Sequence, residues 1–382
     1  MEKARLFLRE EYAAIDPALP HWLSVLRSTG ASECFHKHGT FFQHLVEVYR
    51  ILKLWGAPDD VCRCGLFHSS YSNSYVNLAI FEPGVDRSRV KDLIGDPAEQ
   101  LVELFCIVPR QELIHDMLLF RFSDDQLQEA AASDRSGKKS KLLLPDGFIT
   151  VKNIRNGEDV RLPRRIVAVF VLLTMADFCD QLYNWQDNLF DNRDGELRFS
   201  GNHYWALWPG DVQPGLWMSS ISRMGLLLKG LLNEEEQDNG ICDAPAAIAL
   251  KLPPLFDGCS KLLRPVDQIA ARDLYLEAVG ADLKRQGFDW IAGKLRGACE
   301  RNPWIGEPHL VLAQLCCLEG AFEEAAVEAA LGLERLLQWG TAWDKRVAWE
   351  AWIAWGRVLE MNAKEKKWPS TAWGMINLGL VK

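Results

Sequence analysis

Helical periodicity constrains this chain more than any other feature. Phe41, Leu45, Val48, Leu52 and Trp55 recur at steps of three and four, which puts all five on one helix face. Gly56-Ala57-Pro58 stops that helix, and Pro58 with Asp59 starts the next, which runs through Val61 to His68. The same reading predicts helices from Met1 to Ala14, Asp96 to Cys106, near Gln111 to Phe122, and from Ile166 to Trp185. Residues 133 to 164, with lysines, glycines and β-branched pieces around Phe148 to Lys152, read as a loop or small hairpin between helices. The fold class is therefore all-α.

A length of 382 residues is too much for one ordinary core, so two domains are expected. A helical domain over 1–232, a linker over 233–264 and a second helical region over 265–382 is the expected division. The stretch Asn188 to Trp217, rich in Gly, Trp and Asn, is too long for a simple connector and reads as an ordered functional or packing loop. Seven of the 15 tryptophans fall between Trp339 and Trp373. Such side chains bury large areas, so this helix and tail are expected to lock the second region to the first.

The formal charge of −9 argues against a nucleic-acid partner. The basic run Lys138, Lys139 and Lys141 sits beside Ser133, Ser136 and Gly137 and reads as a solvated loop. No segment is a membrane span or a secretory signal. Ten cysteines without a disulfide-framework or zinc-finger pattern suggest reduced thiols, and the expected location is the cytoplasm.

Six of the eight histidines precede residue 116, and His36, His38 and His44 lie within nine positions. Several histidines on neighbouring helices point toward a metal, because imidazole is the commonest metal ligand.

The run His36-Lys37-His38-Gly39-Thr40-Phe41-Phe42-Gln43-His44 resembles the opening of HD-domain hydrolases, including the RelA/SpoT type that cleaves guanosine tetraphosphate. Gly65-Leu66-Phe67-His68 resembles their helix end, Ile94 to Val102 the helix after their catalytic loop, and Leu173-Thr174-Met175-Ala176-Asp177 the segment carrying their last ligand. The resemblance covers roughly residues 35 to 190 and implies an HD-type helical bundle with His44, His68 and Asp177 as metal ligands. It implies a divalent Mn, Fe or Zn ion and a small, anionic, phosphorylated substrate. Further candidates for metal or substrate contact are His36, Lys37, His38, Ser69, Tyr71, Asn73 and Asp180.

This chain departs from the family at its defining His-Asp doublet, which is His68-Ser69 here, and at the acidic pair that follows, replaced by Ser72 and Asn73. A hydroxyl is a poor ligand for a hard ion, and neither Ser nor Asn is a general base at neutral pH. Two other functions therefore stand beside hydrolysis: an inactive scaffold that binds a protein partner, and a non-haem iron oxygenase of the wider superfamily.

From about Pro265 the pattern becomes pairs of helices. In Glu307 to Leu336, Ala313, Gly320, Phe322 and Ala325 fall where a tetratricopeptide repeat puts small residues and an aromatic, with Asn302-Pro303 before them and Arg272 to Glu300 as a degenerate earlier repeat. The resemblance implies a short, capped helical array that binds a protein partner.

Overall fold

The computed structural model is 63% helix with two small two-stranded sheets, an all-α fold. It describes residues 1–36, 39–132, 142–190, 198, 201, 213–236, 248–258 and 261–378. The basic run at Lys138, Lys139 and Lys141 and most of the Asn188 to Trp217 stretch lie outside these residues. Two compact units interleave along the chain. One combines Glu2–Asp180 with Ser220–Phe256, and the other combines Gln181–Ser219 with Asp257–Lys382.

In the first unit the helix Phe41–Leu54 starts on a capping box. Thr40 Oγ1 accepts from the Gln43 backbone, and the Gln43 side chain accepts from the Thr40 backbone. It ends where Gly56, at φ +73°, lets the Gly56 and Ala57 amides turn back onto Lys53 and Leu52. Pro58 and the acidic pair Asp59 and Asp60 then open the helix Asp59–Phe67, with negative charge at its N-terminus. The two helices pack against each other closely. A Cβ on Gly65 would lie 2.2 Å from Leu52 Cδ1, so only glycine fits there without a shift.

The helix Arg164–Asp180 is buried on nearly every side, as expected for a segment apolar all round its circumference. The predicted continuation to Trp185 does not form. Leu182 to Asn184 pairs instead with Gln213 to Gly215, through the Gly215 amide to Leu182 O (2.9 Å) and the Asn184 amide to Gln213 O (3.1 Å). That pairing draws the chain into the second unit immediately after Asp180. The segment from Met1 to Ala14 also divides, into Glu2–Leu8 and Tyr12–Ile15, at Glu10 with φ +54°. The hairpin around Phe148 to Lys152 forms as expected, pairing with Asp159–Pro163. The segment near Gln111 to Phe122 winds over Gln111–Leu119 as a π-helix.

The second unit is a series in which Pro265–Val279, Phe288–Arg301, Glu307–Leu318, Phe322–Trp339 and Trp349–Lys364 each pack on the next. Glycine permits the closest approach. A Cβ on Gly332 would come within 2.6 Å of Leu310, and one on Gly356 within 2.7 Å of Leu333. Ala313 and Ala325 are fully buried in this stack. The tryptophans anchor their own unit: the indole N–H groups of Trp339, Trp343, Trp349 and Trp352 donate to the carbonyls of Trp304, Gly215, Leu336 and Asp344. Trp373 is 74% exposed. Among the described residues, no helix is long and apolar enough to cross a membrane.

Candidate metal centre

Three elements of the first unit bring His44, His68 and Asp177 together. His44 projects from Phe41–Leu54, His68 caps the C-terminus of Asp59–Phe67, and Asp177 lies in the last turn of Arg164–Asp180. The Gly65 approach described above is what lets the second helix seat His68 beside His44. One donor atom from each of the three residues lies within 4.8 Å of the others. His44 Nε2 is 3.3 Å from His68 Nε2 and 3.3 Å from Asp177 Oδ1. Bonds of about 2.0–2.2 Å to a zinc-sized ion place neighbouring ligand atoms roughly 3 to 3.5 Å apart. The two separations from His44 Nε2 therefore match those around a small divalent ion.

The partners of the remaining atoms fix which lone pairs face inward. His68 Nδ1 lies 2.7 Å from Gly65 O, which can only accept, so Nδ1 carries the proton and Nε2 presents its lone pair. Burial pushes the His68 imidazole down to about 3, so it stays neutral. His44 Nδ1 donates to Asp180 Oδ2 at 2.6 Å, which aims His44 Nε2 at the same point. Asp177 Oδ2 accepts from Arg110 Nη2 at 2.8 Å, which leaves Oδ1 for the centre. All five residues are at most 9% exposed. Among these five described residues are two carboxylates, Asp177 and Asp180, and one guanidinium, Arg110.

The other predicted site residues distribute around this centre. Asp180 orients His44 and does not join the three facing atoms. The His36 ring lies beside His44, tilted at 42° to it with centroids 4.6 Å apart. Ser69 Oγ accepts from Asn73 Nδ2 at 2.8 Å, and Asn73 Oδ1 accepts the amides of Tyr75 and Val76. These two side chains shape the loop after His68. Tyr71 is fully buried, and its hydroxyl donates to Glu99 at 3.0 Å. Lys37 and His38 lie outside the described residues.

Arg110 was not singled out by the sequence. It caps the N-terminus of the π-helix, is 2% exposed, and stands over the rings of Phe105 (4.1 Å) and Tyr75 (4.7 Å). Nothing in Val108-Pro109-Arg110 marks it, because a lone arginine at a helix start is ordinarily solvated.

A family model described as a domain of unknown function (DUF6817) matches residues 25–110. The match takes in His44, His68 and Arg110 and ends before Asp177 and Asp180. No curated protein and no solved structure matches the chain.

Proposed function

We propose that this chain is a divergent metal-dependent enzyme of the HD type, which acts on a small anionic, phosphorylated molecule. The observation that carries the reading is the convergence of two imidazole lone pairs and one carboxylate oxygen, each with its far atom held by Asp180, Gly65 O or Arg110. His44, His68 and Asp177 would hold Mn, Fe or Zn. Such an ion would supply a Lewis acid and a bound water acidic enough to attack near neutral pH. Asp180 keeps His44 in the ligating tautomer, and Arg110 keeps Asp177 Oδ1 turned inward.

A second reading, a non-catalytic scaffold whose helical-repeat unit takes a protein partner, is favoured by one feature. Ser69 and Asn73 stand where the hydrolases place acids, and both are tied to the loop, so neither offers a general base. A two-histidine, one-carboxylate set also suits a mononuclear non-haem iron oxygenase.

Elemental analysis of the purified, tag-free protein separates these readings. Near-stoichiometric Mn, Fe or Zn is expected, lost in His44→Ala with helical content unchanged. A metal stoichiometry that survives His44→Ala would refute the ligand assignment. Absence of metal after incubation with each ion would favour the scaffold. Iron together with oxygen-dependent turnover would favour the oxygenase.

A further inference from the structure

We propose that Arg110 and His115 form an anionic-oxygen site beside the metal centre, with the Arg110 Nε–H and the His115 Nε2–H as its donors. The proposal rests on the enzyme reading above and assigns the residues that would take the anionic group of the substrate.

The protonation of His115 follows from a chain of three side chains. The Tyr75 hydroxyl donates to Gln111 Oε1 at 3.1 Å, which leaves the Gln111 amide nitrogen as a donor. That nitrogen lies 2.9 Å from His115 Nδ1, which therefore accepts. A neutral ring that accepts at Nδ1 carries its proton on Nε2. Among the described residues this Nε2–H has no partner, and neither does the Nε–H of Arg110. Both side chains are 2% exposed. A buried donor without an acceptor is unfavourable, and with a cation in the neighbouring centre to offset Asp177 and Asp180 the pair would favour an acceptor that carries negative charge.

The π winding brings them to one side. At roughly 4.4 residues per turn, positions 110 and 115 fall within roughly 50° of one another, whereas α winding would set them about 140° apart. Their surroundings point to the metal centre: Arg110 holds Asp177, and the His115 ring packs edge-on against the next residue, Phe178 (centroids 5.7 Å). The neighbouring faces are aromatic, with Phe105 and Tyr75 on Arg110 and Phe120 and Phe178 on His115. A lone water needs two to four polar partners, which rings do not supply, whereas an oxyanion is held by the charge and the two fixed donors. Tyr75, 37% exposed, lies over Arg110 on the side nearest solvent and keeps Gln111 oriented toward His115.

The test is isothermal titration of the full-length protein with inorganic phosphate and, separately, with acetate, with metal content measured on each sample. We expect one of the two anions to bind, at least tenfold more weakly in His115→Phe and near wild-type strength in His115→Gln, which keeps an N–H donor. Phosphate binding identifies a phosphoryl ligand, and acetate binding a carboxylate ligand; both support the site. Failure of a metal-replete wild type to bind either anion would overturn it, as would equal binding by His115→Phe. Binding that depends on His115 in protein devoid of metal would support the pair and sink the metal reading instead. If His115→Phe does not fold, Arg110→Lys, which keeps a cation but removes the Nε–H, is judged by the same tenfold criterion.

Discussion

Asp177 and Asp180 sit one helical turn apart at the end of the same buried helix, yet they take different roles. Asp177 turns Oδ1 toward the two imidazoles, and Asp180 grips His44 from behind. In the proposed centre the second contact would fix the tautomer and the aim of a ligand without adding one. Asp180→Asn is therefore expected to lower metal affinity by about 10–100-fold while helical content stays the same. Competition with a chromogenic chelator measures this, and an unchanged affinity would remove Asp180 from the centre. At this scale the three facing residues were legible, because His44, His68 and Asp177 lie in segments whose order and residue types carry a pattern. Their supports were less so. Asp180 is readable as a helix-face neighbour of Asp177, but Arg110 reaches Asp177 across 67 positions of chain, and nothing local announces that.

Helices were legible wherever one apolar stripe meets a plain stop, as in Phe41–Leu54 with Gly56 after it, although the Thr40 cap that starts this helix was not read from the sequence. Two departures have physical causes outside the local sequence. The apolar run into Leu182 continues past Asp180, but backbone pairing with Gln213 to Gly215 competes for the same amides and prevails. The π winding of Gln111–Leu119 adds a residue per turn without altering which residues are apolar, so periodicity cannot separate it from an α-helix. Gly65 shows how one element sets the site. An alanine there would drive its Cβ into Leu52 and push the helix Asp59–Phe67 outward, carrying His68 with it. Gly65→Ala is expected to destabilise the protein by about 1–3 kcal/mol and to weaken metal retention in parallel, as thermal melting and elemental analysis would show. A full metal complement at lowered stability would mean that Leu52 yields and His68 stays in place.

Over the whole chain, domain order was the least legible property. The units exchange segments after Asp180, after Ser219 and after Phe256, and no change of composition marks the first crossing. Within the second unit a buried carboxylate makes stability depend on pH in a way that can be worked out. Glu307 is 1% exposed, and it accepts the backbone amides of Trp343 and Asp344 on Oε1 and of Gly306 on Oε2. It thereby ties the start of its helix to the loop before Trp349–Lys364. Burial raises its carboxyl to about 7, against an ordinary value of 4.5, with the nearby Asp344 adding to the rise and the amides opposing it. The folded state therefore binds more protons than the unfolded state between these values. The stability from this group is fully present below about pH 4.5 and is lost as pH rises through about 7. Glu307→Gln keeps an acceptor for Trp343 and Asp344 but cannot ionise, so its stability relative to wild type should improve from pH 5 to pH 8. Denaturant titrations of both proteins at the two pH values give this difference directly, and the histidines that titrate elsewhere cancel because both proteins share them. A difference that does not change with pH would mean that Glu307 is ionised throughout, with the three amides outweighing its burial.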